Sequence, residues 1–227
     1  MKRLWRVIRG TLWTIVWLVM FIAYLLVQRA VLTIGARQPV DNMIIVLPTY
    51  LVIYGVLVLV LLWLHALASH TTMRLLMCTT FSHFDRRELK LICLGIGLFL
   101  LFRLIFDVLI TTRVIPLPSN VQENQQESVL SPVTNYLTSG FAAPVVEELL
   151  FRGILMNLWN YSKSSKRRWL VIIIVSAIFG VVHTRDLIAW LIYSFAGLIL
   201  GYVYTATGKL RDSILLHFIN NAVLSLI

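Results

Sequence analysis

Charge is what this sequence has least of. Asp, Glu, Lys and Arg make up 13% of its 227 residues, against 59% hydrophobic residues. A soluble domain of this length needs far more polar surface, so the composition places the chain in the membrane class. Acidic residues are the scarcer sign, ten against twenty basic. Cysteine is reduced to Cys78 and Cys93, with neither a disulfide framework nor a zinc spacing around them, and both are expected as small buried or half-buried residues. No Gly/Ser linker, low-complexity tract or internal repeat divides the sequence. Residues 1–227 therefore read as a single membrane domain, with spans free of motifs in 1–128 and motif-bearing spans in 129–227.

What the chain has instead is long apolar runs, and about 20 such residues in a helix cross the hydrocarbon core. They run from about Thr11 to Val27, Met43 to Leu64, Leu89 to Ile110, Val129 to Trp159, Trp169 to His183, Leu187 to Thr205 and Ser213 to Ile227. The expected fold is all-α, a polytopic transmembrane helix bundle of about seven spans. The fourth run is long enough to tilt or to extend beyond the bilayer, and the fifth and seventh are short. A basic start before an apolar run is the pattern of a signal peptide. Gln28 and Arg29 stand where a small-residue cleavage site would lie, so an uncleaved signal anchor is expected.

Lys and Arg gather in cytoplasmic loops, which orients the threading. With the N-terminus cytoplasmic, the inner segments hold Lys2, Arg3, Arg6, Arg9, Arg74, Arg86, Arg87, Lys90, Lys163, Lys166, Arg167, Arg168, Lys209 and Arg211. The outer loops hold only Arg29, Arg37, Arg113 and Arg185, and Arg103 and Arg152 fall within spans. The net charge of +10 is then a topology signal and an affinity for anionic headgroups. No RNA- or DNA-binding motif accompanies it, so no nucleic-acid partner is expected. The outer loop from Thr111 to Ser128 is polar and irregular, and Met73, Leu75, Leu76, Met77 and Phe81 suit an interfacial helix. His65, His70 and His83 have no ligand spacing and are expected solvated or interfacial. Trp13, Trp63, Trp159, Trp169 and Tyr202 near span ends fit interfacial anchoring.

Ionisable groups inside a bilayer are expensive and by default mark function. They are concentrated in the late spans, as Glu147, Glu148 and Arg152 in span four, His183 closing span five, and His217 with Asn221 in span seven. Glu148 and Arg152 are i,i+4, the favourable order for an ion pair. Glu147 is rotated about 100° from that face, which leaves its carboxylate for another use. His217 and Asn221 share a face, with Asn220 placed to compete for it. Arg103 and Asp107, also i,i+4, suit a structural pair.

At 1.5 Å per residue, Glu147 and His183 lie about 20 to 24 Å from the cytoplasmic side, and His217 and Asn221 roughly 8 to 15 Å. One compact site therefore requires helix seven to be tilted or to start below the membrane surface. A carboxylate, two imidazoles and an amide around one cavity suit hydrolysis by water. Glutamate and histidine can orient and deprotonate the water, and a second histidine with an amide can donate to the oxyanion. The same Glu147, His183 and His217 could instead hold zinc with water at the open position, and spacing does not separate the two chemistries.

At these residues the sequence resembles a known family. The run Glu147-Glu-Leu-Leu-Phe-Arg152 is similar to the EExxxR motif of the CPBP (CAAX protease and bacteriocin-processing, or Abi) family. Phe179 with His183 resembles its FxxxH motif, and His217 with Asn221 its HxxxN motif. The likeness covers about Thr138 to Ile227, and Gly197, Gly201 and the turn at Thr207 share the family's look. The resemblance implies an intramembrane endopeptidase acting on membrane-associated peptides or proteins in a multi-pass protein of the plasma membrane, bacterial from the chain's size. It implies that Glu147 and His183 activate the water and that His217 and Asn221 stabilise the oxyanion. Glu148 and Arg152, with Phe179, support them. A glutamate-dependent, metal-free site is favoured by the likeness to the prenyl-protein-processing members, and zinc is the alternative. Those members have eight spans against seven here, which leaves a prenylated substrate open. The competing class is a non-catalytic membrane scaffold or bacteriocin self-immunity protein using the same fold, with the polar residues serving as structural ion pairs and interhelical hydrogen bonds.

Overall fold

The computed structural model describes residues 2–37, 43–69, 83–118, 136–158, 164–184 and 186–223. Those residues form seven helical rods and no strand. They are α1 (Lys2–Arg37), α2 (Met43–Ser69), α3 (Arg86–Thr111), α4 (136–158), α5 (Ser165–His183), α6 (Leu187–Thr207) and α7 (210–223). Four carry stretches long and apolar enough to cross a membrane, Gly10–Val31, Pro48–Ala68, Arg86–Thr111 and Leu187–Thr207. α4, α5 and α7 are the rods that hold the polar motifs. The expected all-α helix bundle is thus the observed fold among the described residues, with four of its seven helices long and apolar enough to cross a membrane. The helices run a few residues past several expected ends, the first by about a turn or more on each side. The expected interfacial helix, His70 and Cys78 lie outside the described residues.

Local sequence sets the starts. Asp85 caps α3 in a reciprocal box, accepting from the Arg87 and Glu88 amides at 2.8 Å each while its own N–H donates to Glu88 Oε2 at 3.1 Å. Ser164 accepts from the Arg167 amide at the head of α5, and Asp186 from that of Ala189 at the head of α6. Glu88 also pairs with Lys209 and, at 2.8 Å, with Arg211. The start of α3 and the α6–α7 turn therefore meet at one end of the bundle, as the threading of two inner loops requires.

Helical periodicity decides what is buried. α1 buries Trp17, Phe21, Tyr24 and Val31, and α2 buries Tyr50, Tyr54, Leu57, Leu61, Leu64, His65 and Ala68, each set one stripe of its helix. Both stripes pack around α4, whose residues from Val146 to Met156 are almost wholly enclosed. The other faces expose Leu18, Val19, Ile22, Leu59, Trp63, Leu101 and Leu104, apolar surface that suits lipid. Trp169 and Tyr202 stack there at 5.7 Å. Cys93 is exposed rather than buried or half-buried, because it falls on the outward face of α3. Arg103 and Asp107 do pair, at 3.8 Å on an exposed face.

α5 and α6 form the tightest hairpin. A Cβ on Gly197 would stand 2.9 Å from Ser176 Cα, so only glycine lets the two backbones approach this closely. Gly197→Ala is expected to cost about 1–3 kcal/mol by overpacking. A lowered thermal midpoint in detergent would register it, and an unchanged midpoint would show that the hairpin can open without loss.

Candidate active site

α4 is not a uniform helix. It runs as π-helix over Tyr136–Ala142, α-helix over Ala143–Glu148, π-helix over Leu149–Leu155 and α-helix over Met156–Leu158. In the second wide segment the Met156 N–H bonds to Phe151 O, five residues back. Such turns leave carbonyls to be satisfied from outside the ladder, which inside a membrane must come from neighbouring side chains. The Leu150 carbonyl accepts from Trp17 Nε1 at 3.0 Å. The Gly153 carbonyl accepts from Asn157 Nδ2 at 2.7 Å and meets His65 Nδ1 at 2.6 Å. His65 is 4% exposed, so the expectation of a solvated or interfacial histidine is corrected: it is buried in α2 with a carbonyl to bond. His83 is exposed as expected.

The two adjacent glutamates separate as their 100° rotation predicts. Glu148 Oε1 accepts from Arg152 Nη1 at 2.8 Å and pairs with His217 Nδ1 at 2.9 Å. Arg152 also donates from Nη2 to the Gly197 carbonyl at 3.0 Å and lies 4.9 Å over the Phe179 ring. Glu148 and Arg152 thus tie α4 to α5, α6 and α7. Glu147 points elsewhere. Its Oε1 accepts from Tyr24 Oη at 2.9 Å, while Oε2 stands 3.4 Å from His183 Nε2 and 3.9 Å from His217 Nε2.

Phe179 also meets both histidines. Its carbonyl meets His183 Nδ1 at 2.7 Å, and its ring lies 4.3 Å from the His183 ring and 6.0 Å from that of His217. Because a carbonyl only accepts, His183 Nδ1 carries the hydrogen. By the same rule an ionised Glu148 takes the Nδ1 hydrogen of His217. In their neutral forms both imidazoles therefore turn Nε2 lone pairs toward Glu147 Oε2. The His183 side chain is 23% exposed and that of Glu147 7%, so the accessible side of the cluster is the His183 side.

The expected depth mismatch between His217 and Glu147 is absent, and the start of α7 explains why. Arg211, Asp212 and Ser213 are buried, held by Glu88 and the His83 carbonyl. The helix therefore begins inside the bundle, not at its surface. Asn221 lies in the π-helical end of α7, Ile219–Val223. Its Nδ2 donates to the Ser139 carbonyl at 3.1 Å and its Oδ1 accepts from Asn220 at 3.0 Å. Asn220 is thus its partner, and Asn221 joins the end of α7 to the first turn of α4.

Among the described residues, no group of three or more His, Cys, Asp or Glu side chains is arranged to hold a metal ion. Sequence reasoning missed Tyr24, Trp17 and His65 as neighbours of the site. A phenol inside the first apolar run, on the same stripe as Trp17 and Phe21, was the available signal.

Residues 129–223 match the family model described as Rce1-like, type II CAAX prenyl endopeptidase. No curated protein and no solved structure matches the chain. The matched segment holds all three motifs and every polar side chain of the cluster except Tyr24. Through this segment, which is under half of the chain, the protein is similar to the Rce1-like family of CAAX-type endopeptidases.

Proposed function

We propose that the protein hydrolyses peptide bonds of membrane-associated peptides or proteins, with Glu147 and His183 activating the water and no metal taking part. The observation that carries this reading is the Glu147 carboxylate, one oxygen held by Tyr24 and the other facing two imidazole Nε2 atoms. A water near Oε2 and His183 Nε2 has two acceptors for its hydrogens, which is the arrangement a general base needs. Its oxygen adds to the scissile carbonyl carbon as its proton passes to the Glu147–His183 pair. The carbon–nitrogen bond then breaks, and the stored proton goes to the departing amine.

The oxyanion formed in between needs donors. Asn221 offers an amide, and His217 an Nε2 hydrogen once it is an imidazolium. Glu148 holds the Nδ1 side of the same ring. With both imidazoles neutral, Glu147, Glu148 and Arg152 sum to one negative charge, so a single proton on the histidines makes the buried set neutral. The family description supports a substrate ending in a prenylated cysteine motif. The apolar outer faces of α1 and α3 support a lipid-dissolved approach.

The test is cleavage of a library of prenylated and unprenylated peptides by purified protein in nanodiscs, read by mass spectrometry with and without a zinc chelator. Cleavage is expected to persist in chelator. Loss in chelator with recovery on zinc addition would move the reaction to a metal on Glu147, His183 and His217. No cleavage of either class by folded protein would turn the reading toward a binding scaffold.

A further inference from the structure

The matched segment begins at residue 129, yet the hydroxyl on the Glu147 carboxylate comes from α1, 123 residues earlier. A glutamate's terminal torsion is broad. A carboxylate without a partner on Oε1 could therefore turn either oxygen, at a range of tilts, toward the imidazoles. Tyr24 removes that freedom. It is 2% exposed, so packing fixes the hydroxyl as well as the ring.

Its register along α4 is fixed by two further bonds from the same N-terminal pair of helices. Trp17, two turns before Tyr24 on the same stripe, donates to the Leu150 carbonyl. His65 of α2 reaches the Gly153 carbonyl. A Cβ on Gly153 would stand 3.2 Å from His65 Nδ1, so a glycine at this place allows the approach. Both carbonyls belong to the wide turns just after Glu147. Helices α1 and α2 therefore grip α4 at a π-helical segment whose carbonyls take outside donors, and from that grip Tyr24 reaches the carboxylate.

We infer that Tyr24 is a positioning residue for Glu147, holding Oε1 so that Oε2 faces His183 and His217, and that α1 and α2 thereby complete a site the motif-bearing helices do not complete alone. The inference rests on the proposed role of Glu147 as base. Misplacing a reacting group by about 1 Å can cost on the order of 10²-fold in rate. Loss of an interaction used only in the transition state lowers kcat and leaves KM unchanged.

The experiment compares Tyr24→Phe, Tyr50→Phe and Glu147→Gln in full-length protein in nanodiscs, on the peptide the wild type cleaves best. Tyr50 is the control, a buried phenol of α2 that donates to the Val31 carbonyl of α1 at 2.8 Å. Tyr24→Phe is expected to lower kcat about 10- to 100-fold with KM within about twofold of wild type. Tyr50→Phe is expected to keep kcat. Wild-type kcat in Tyr24→Phe beside an inactive Glu147→Gln overturns this inference alone. Wild-type cleavage by Glu147→Gln overturns the proposed base and the inference with it. Equal losses in the two phenylalanine variants, following their thermal midpoints, would make Tyr24 merely structural. If Tyr24→Phe does not fold, 4-fluorophenylalanine at position 24 nearly keeps the volume and removes the donor. It is expected to lower kcat at constant KM, and an unchanged kcat overturns the inference.

Discussion

Glu147→Gln is expected to lower kcat by about 10³-fold or more, within the range that general acid–base groups supply. Glutamine keeps the volume, and its carbonyl can still accept from Tyr24. Its amide nitrogen, however, would donate to the His183 Nε2 lone pair and could not take a proton from water. The buried cluster loses its unbalanced negative charge in the exchange, so folding is expected to survive. An unchanged thermal midpoint with lost cleavage is the result that identifies a chemical role. Glu147→Asp makes the complementary case. It keeps the charge and withdraws the carboxylate by one methylene from atoms now 2.9, 3.4 and 3.9 Å away, and a loss nearer 10²-fold is expected from misplacement alone. His183→Gln is expected to match Glu147→Gln, and the double variant to be no worse than either, because residues acting as one unit are not additive. Full activity in Glu147→Gln would take water activation away from this carboxylate.

The polar half of the site was legible in the sequence because lipid solvent makes polar side chains conspicuous. Glu147, Glu148, Arg152, His183 and His217 stand in runs where each unpaired charge is costly. The i,i+4 rule was enough to assign Arg152 to Glu148 and leave Glu147 for the imidazoles. The aromatic half was not legible. Trp17 and Tyr24 follow the same stripe as Phe21, and a core aromatic and one that hydrogen-bonds α4 have one periodicity. His65 was read as solvated or interfacial because nothing local shows that a carbonyl on α4 lacks a donor within its own helix. That need arises only from the π-helical turns over Leu149–Leu155, which the apolar spacing does not reveal. The depth of His217 failed for a related reason. Counting residues from a basic loop assumes that the loop lies at the surface, and here Arg211 is buried against Glu88 and pairs in turn with Asp212.

Removing the Arg152 guanidinium is expected to have the largest effect on folding. Arg152 is fully buried, and its partners are the Glu148 carboxylate, the Gly197 carbonyl and the Phe179 ring. The pair is not built for stability alone. Among the described residues, Arg152 Nε and Glu148 Oε2 have no hydrogen-bond partner, because Glu148 Oε1 is shared with His217 instead of forming a two-pronged bridge. Arg152→Met leaves that carboxylate buried without its cation, which typically costs about 3–5 kcal/mol, a large part of a total of about 5–15 kcal/mol. Poor accumulation and a much lower thermal midpoint are expected. Arg152→Lys is expected to fall between, since one ammonium does not reproduce the planar fork that reaches both Glu148 and Gly197. Glu148→Gln combined with Arg152→Met removes both charges, and replacing a buried pair with neutral groups is often close to neutral for stability. The double variant should therefore recover most of the thermal midpoint. Cleavage should stay low, because His217 would have lost the carboxylate that holds its Nδ1 and orients its ring. A double variant as unstable as Arg152→Met would instead show that the shape of the arginine, wedged between α4, α5 and α6, matters more than its charge.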